Sequence, residues 1–216
     1  MSNPITRVAV VGTGIGTGMI GASWAALLLA HGLQVSATDI AAGAEAALRH
    51  YIDQAWPALE QRGLADGADR GNLRFTTDLA DAVADAELVQ ENAPERLEVK
   101  FSLYDQLDAL LPAKTLIASS SSGWTMAAIL ASCQRHPERC VIGHPLHPPH
   151  LIPLVDVAGG ALTAASTITR ATAFYDSLGK RTIRLHRDLA GHGASQLATA
   201  AATTAARIFT SSAALR

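Results

Sequence analysis

Five glycines between residues 12 and 21 follow directly on an apolar run, Arg7 to Val11, and a carboxylate, Asp39, stands 23 residues beyond Gly16. A strand, a glycine turn and a helix start make a phosphate cradle. Glycine lets the backbone approach a pyrophosphate, and the free N–H groups of the first helical turn bind its charge. A carboxylate ending the next strand accepts hydrogen bonds from ribose hydroxyls and repels a 2′-phosphate. The residues after Asp39 are Ile40, Ala41 and Ala42, with no Arg to receive such a phosphate. The pattern predicts a dinucleotide site for NAD rather than NADP, carried by Gly12, Gly14, Gly16, Gly18, Ile20, Gly21 and Asp39. Gly16, Gly18 and Gly21 have the Gly-x-Gly-x-x-Gly spacing, yet Gly12 is the glycine next to the strand, and a Gly-Thr-Gly unit occurs twice. The four extra residues either lengthen the strand or bulge beside the pyrophosphate.

A second set of candidates lies further along. His144 follows the apolar run Cys140 to Gly143, where a side chain can project into the crevice at the carboxyl edge of a sheet. Its ordinary pKa near neutrality suits it to move a proton. Ser122 closes a run of four serines, but no base for a serine nucleophile stands beside it, so hydrolase chemistry is disfavoured.

These residues need elements to hold them. Apolar strand-like runs alternate with helix-period segments, which signals βαβ units. Strands are expected at Arg7–Val11, Gln34–Thr38, Leu73–Thr76, Glu87–Gln90, Thr115–Ser119, Cys140–Gly143, Leu154–Val157 and Thr182–Leu185. Helices are expected from Met19 to Ala30, through the stripe Leu48, Tyr51, Ile52, Ala55 and Leu59, from an Asp78 cap to near Ala86, and around Thr167 to Leu178. The fold class is α/β: a Rossmann-type, doubly wound, mostly parallel sheet with helices on both faces. The order of the strands is not readable from pattern alone.

Longer motifs carry a resemblance. The glycine turn, Gln90-Glu-Asn-Ala-Pro-Glu95, Ala118-Ser-Ser-Ser-Ser-Gly123 and the segment from Gly143 to Asp156 together resemble the NAD-binding domain of the 3-hydroxyacyl-CoA dehydrogenase superfamily, in its carnitine and gulonate dehydrogenase branch. The similarity runs from about residue 6 to residue 188. It implies NAD as cofactor and His144 as the base that takes the proton of a 3-hydroxyl while hydride leaves for the nicotinamide. It implies that Asp156 stands where the family has a Glu that fixes the imidazole, shorter by one methylene, about 1.5 Å. A misplacement near 1 Å can cost about a hundredfold in rate. Ser122 matches the serine that hydrogen-bonds the substrate oxygen, and Glu95 and Lys100 match residues near the nicotinamide half of the cofactor. His147 replaces an asparagine of the family, and Ser195, in the segment from Ala190 to Gln196, replaces the asparagine that helps bind substrate.

The resemblance divides the chain into an NAD-binding domain over residues 1–188 and an Ala-rich helical segment over 189–216, matching the start of a helical substrate and dimerisation domain. The implied partner is a small molecule, a 3-hydroxy acid or its CoA ester, and a homodimer is possible. A CoA ester would call for several Lys or Arg residues after Asp39 to meet its phosphates. Only Arg49, Arg62 and Arg70 occur there, spread out, which favours a free hydroxy acid. The alternative reading is an NAD-binding module with little turnover, suggested by Asp156, His147 and Ser195.

Composition sets the outer bounds. The chain has 216 residues, 49% of them apolar and 17% charged, with a net charge of −2, which gives no footprint for nucleic acid. The apolar run from Ile20 to Ala30 is too short to span a bilayer. Two cysteines, Cys133 and Cys140, are too few for a disulfide framework and suit reduced thiols in a cytoplasmic protein. No metal site is expected.

Overall fold

The computed structural model describes residues 4–13 and 19–185. Eight strands form one sheet in the order β3-β2-β1-β4-β5-β6-β7-β8. They are β1 (Arg7–Val11), β2 (Gln34–Thr38), β3 (Leu73–Thr76), β4 (Leu88–Glu91), β5 (Leu116–Ser119), β6 (Cys140–Pro145), β7 (Leu154–Ala158) and β8 (Arg181–Leu185). Every neighbouring pair is parallel except β6 and β7, which run antiparallel. The sheet winds outward in one direction from β1 to β3 and in the other from β4. The topological switch point, where a crevice opens at the carboxyl ends of the strands, therefore lies between β1 and β4.

Helices cover both faces. On one side lie α1 (Met19–Ala30), α2 (Ala44–Arg62) and α6 (Ala165–Ser177), packed on Val8, Val10, Val35, Leu88, Leu116 and Val141. On the other lie α3 (Leu79–Val83), α4 (Leu97–Leu110) and α5 (Met126–Ile129), packed on Ala9, Val11, Val89, Ile117 and Ile142. Successive strand residues face opposite sides, so two cores arise from near-continuous apolar runs, as buried parallel strands require. Helix α1 is buried at every position from Gly21 to Ala30. Its apolar surface all round fits a helix enclosed by the sheet and α2.

Several boundaries match the expected ones, and some do not. Asp78 caps α3, accepting from the Ala80 N–H at 2.9 Å. The helix stops at Val83 rather than near Ala86, because the Glu87 N–H already pairs with the Arg7 carbonyl. Strand β4 ends at Glu91 rather than Gln90. Strand β6 runs to Pro145 rather than Gly143, because antiparallel pairing with β7 continues to the Pro145–Val155 pair. His144 thus sits inside a strand and not beyond it. Cys133 and Cys140 are both free and buried. Among the described residues, no helix is long and apolar enough to cross a membrane.

Candidate active site

The glycine turn is anchored on both sides of the switch point. Strand β1 ends at Val11, so the extra residues do not lengthen it. Gly12 has a φ of +82°, and its N–H bonds the Thr38 carbonyl at 3.0 Å. A Cβ at Gly12 would stand 2.7 Å from the Asn92 carbonyl oxygen, and one at Gly21 only 2.1 Å from the Gly12 oxygen. Those two positions must be glycine for the turn to close. Ile20 is half-buried against the core of α1. Gly14, Gly16 and Gly18 lie outside the described residues.

Asp39, just past β2, takes the Thr13 N–H on Oδ2 at 2.8 Å and the Ala41 N–H on Oδ1 at 2.9 Å. The carboxylate is thereby fixed at the mouth of a cavity of about 670 Å³ lined by Gly12, Asp39, Ile40, Thr77, Asn92 and Pro94, among others. Ile40 is 95% exposed and offers an apolar wall. An acceptor-only carboxylate beside an apolar slot, next to a turn that tolerates no Cβ at Gly12 or Gly21, fits an adenosine and its pyrophosphate. The residues present therefore fit NAD.

The loop after β4 forms the far wall of this cavity. Glu91 is fully buried and binds Lys100 Nζ at 2.9 Å, the Ser119 hydroxyl at 2.5 Å and the Ala93 N–H at 2.6 Å. Lys100, 1% exposed, also donates to the Ala93 carbonyl at 3.3 Å. Lys100 does not line the cavity itself: it is held under the 91–93 bend that forms the wall. Removing either member of such a pair would leave a buried charge uncompensated.

Glu95 ties this loop to the serine run. Its carboxylate accepts from the Ser122 N–H at 2.6 Å and the Ser121 hydroxyl at 2.8 Å. Burial pushes the Glu95 carboxyl up, but the Ser121 hydroxyl, the Ser122 amide, the nearby Lys100 charge and the Gly123 amide together hold it below the usual range. Ser122 is left exposed at the turn, its hydroxyl side chain at the surface.

His144 and Asp156 stand directly opposite each other in the β6–β7 register. Directly opposed residues share a face, with Cβ atoms about 5 Å apart. Both side chains are buried. His144 Nδ1 lies 2.8 Å from the Ser120 carbonyl oxygen. A carbonyl can only accept, so Nδ1 carries the proton and the lone pair of the neutral ring is on Nε2. His147 is exposed on the loop after β6, and Ser195 lies outside the described residues.

Sequence reading passed over three polar side chains that the fold joins. Ser120, Gln90 and Asn92 interlock: Gln90 Nε2 donates to Ser120 Oγ at 2.9 Å, and Ser120 Oγ donates to Asn92 Oδ1 at 2.7 Å. The available signal was the polar triplet Gln90-Glu-Asn92 at the end of an otherwise apolar strand. Polar residues at such a place need partners.

Residues 7–189 match the family model described as the 3-hydroxyacyl-CoA dehydrogenase NAD-binding domain. The chain is similar to an L-carnitine dehydrogenase of Streptomyces griseus, with 48% identity over 193 residues, covering 89% of this chain and 56% of the relative. It is also similar to an L-carnitine dehydrogenase of Pseudomonas syringae, with 45% identity over 183 residues, 85% of this chain and 57% of the relative. The chain thus spans little more than half the length of these curated relatives. Among solved structures, a 5-formyl-3-hydroxy-2-methylpyridine 4-carboxylic acid 5-dehydrogenase, an NAD+-dependent dismutase, superposes with a TM-score of 0.83 at 32% identity, covering 94% of this chain and 65% of that one. The 3-hydroxybutyryl-CoA dehydrogenase of Escherichia coli K12 does so with a TM-score of 0.77 at 34% identity, covering 88% and 39%.

Proposed function

Because the chain belongs to the family of 3-hydroxyacyl-CoA dehydrogenase NAD-binding domains, we propose that it carries the cofactor site and catalytic base of a dehydrogenase that oxidises the 3-hydroxyl of a small free hydroxy acid. The observation that carries this reading is the opposed pair His144 and Asp156 on β6 and β7, with β6 two strands along the same sheet from β4, whose following loop walls the dinucleotide cavity. Bound NAD supplies the acceptor for the hydride that leaves the substrate carbon. The hydroxyl proton goes to His144 Nε2, the ring atom whose lone pair is preserved when Nδ1 donates to Ser120. Asp156 balances the positive charge that the ring acquires in a dry site. Ser122 offers a hydroxyl to the substrate oxygen, and Glu95 holds the turn that presents it.

The free acid is favoured over a CoA thioester by what the basic residues after Asp39 do. Arg49 pairs with Glu45 at 2.8 Å, and Arg70 pairs with Asp53 while lying over the Trp56 ring. Arg62 donates to the Leu151 carbonyl at 2.7 Å. All three are engaged within the protein, which leaves them poorly placed to receive CoA phosphates. The names of the carnitine dehydrogenase relatives point the same way.

A second reading, an NAD-binding module with little turnover, is favoured by the shorter carboxylate at Asp156. One experiment separates them. NADH formation is followed with L-carnitine, L-gulonate and an L-3-hydroxyacyl-CoA, beside NAD titration calorimetry. The dehydrogenase reading expects NADH from a free hydroxy acid and a loss of about a hundredfold or more in His144→Ala with NAD affinity retained. NAD binding with no NADH from any of the three supports the module, and absence of NAD binding overturns both.

A further inference from the structure

We infer that Ser120 is a positioning residue that joins the dinucleotide turn to the imidazole of His144 through one buried polar chain. The inference rests on the reading of His144 as the base.

Ser120 follows the last residue of β5 and is 5% exposed. Its N–H bonds the Glu91 carbonyl at 2.8 Å, and its carbonyl accepts from His144 Nδ1. The hydroxyl accepts from Gln90 Nε2 at 2.9 Å and from Trp24 Nε1 at 3.2 Å, and donates to Asn92 Oδ1 at 2.7 Å. One hydrogen and two lone pairs are all a serine hydroxyl has, so these contacts use its full capacity and leave it a single orientation.

Each end of the chain is anchored. Gln90 Oε1 takes the hydroxyl proton of the buried Tyr175 at 2.7 Å. Asn92 donates from Nδ2 to the Val11 carbonyl at 3.2 Å and to the Gln90 carbonyl at 2.9 Å. Its backbone oxygen abuts Gly12, and its amide nitrogen would be 3.2 Å from a Cβ at Gly21. Asn92 therefore touches both glycines that shape the phosphate turn. A shift of that turn passes to Asn92, then to the Ser120 hydroxyl, then to the carbonyl that aims the imidazole. In a buried network the members constrain one another, so cutting one link frees the next.

A purely structural network would lower stability on cutting and do nothing else. The test therefore reads the ring itself. Nitrogen-15 spectra of His144, assigned by comparison with His144→Gln, are recorded with and without saturating NAD for the native protein, Ser120→Ala, Ser120→Thr and Asn92→Ala. The native ring is expected to show a protonated Nδ1 and an unprotonated Nε2, with both signals moving when NAD is added. Ser120→Ala is expected to bring the two signals toward averaged positions, shrink the response to NAD and lower kcat about tenfold with little change in KM. Ser120→Thr, which keeps the hydroxyl, is expected to restore both. Asn92→Ala, cut at the cofactor end, is expected to keep the tautomer and lose the response. It carries the test alone should Ser120→Ala not fold. Unchanged ring signals in folded Ser120→Ala, or a full NAD response in Asn92→Ala, would overturn the inference. Absence of NADH formation by the native protein sinks the dehydrogenase reading while leaving the ring readout intact.

Discussion

His144 and Asp156 are partners in the antiparallel register of β6 and β7, twelve residues apart in sequence and directly opposite in the sheet. The one antiparallel junction among the described strands is what creates the pair. A parallel connection would have needed a long crossover, whereas the short antiparallel return from Pro145 to Leu154 brings Asp156 back across from His144. Opposition within a ladder lets the backbone fix the separation of the two side chains.

The pair predicts a rate effect with no binding effect. Asp156→Asn keeps the shape and removes the charge, so kcat is expected to fall about a hundredfold or more while NAD affinity is unchanged. Steady-state kinetics beside calorimetry checks this. A kcat within about twofold of native would mean that the carboxylate takes no part.

Asp39 predicts the reverse division. Its two oxygens each accept a backbone N–H, from Thr13 and from Ala41. Asp39→Asn puts an NH2 against one of those donors and removes the charge we propose to meet the ribose. NAD affinity is expected to drop about tenfold, and the preference for NAD over NADP to narrow, because the repulsion of a 2′-phosphate is lost. Calorimetric titration with both dinucleotides reads it, and equal discrimination before and after would refute it.

Much of this was legible in the chain, for physical reasons that also mark where legibility ended. β1, α1 and β2 could be bounded to the residue because Gly12 and Asp39 punctuate largely buried runs. Burial leaves the same signature whether a neighbour runs parallel or antiparallel, so the reversal at β7 was not visible. Lys100 is expected near the nicotinamide half by resemblance, but its buried pairing was not legible, because its partner Glu91 sits on a preceding strand and only the fold brings them together. Ser120 is one of four serines, and nothing in a serine run says which hydroxyl is spoken for. Its partners Gln90, Asn92 and Trp24 lie 28 or more residues away.

The close contact between Gly12 and Gly21 makes a prediction about space rather than charge. Gly21→Ala would drive a Cβ to 2.1 Å from the Gly12 oxygen, which neither backbone can accommodate without opening the turn. Gly43→Ala meets nothing within 4 Å and bears only the strain of its φ of +78°, about 1 kcal/mol. Thermal melts and NAD calorimetry should therefore separate them: Gly21→Ala loses NAD binding, and Gly43→Ala melts slightly lower with NAD binding intact. Retained NAD affinity in Gly21→Ala would place the cofactor elsewhere.

Lys180 predicts a dependence on pH. Its ammonium is buried, donates to the Pro149 and Ile152 carbonyls, and lies 5.5 Å from the Trp24 ring centroid. Burial, helped by the Arg62 charge, lowers its pKa from 10.5 to about 8. The unfolded chain therefore binds more protons at this group between about pH 8 and 10.5, so this residue's contribution to stability rises with pH across that window. Below it, both states are protonated and the penalty of burying the charge is constant. Lys180→Met removes the titration while keeping the packing. The difference in denaturation midpoint between native and variant should shift in favour of the native protein as pH is raised through the window. Parallel curves from pH 7 to 11 would show that Lys180 keeps its proton in the fold.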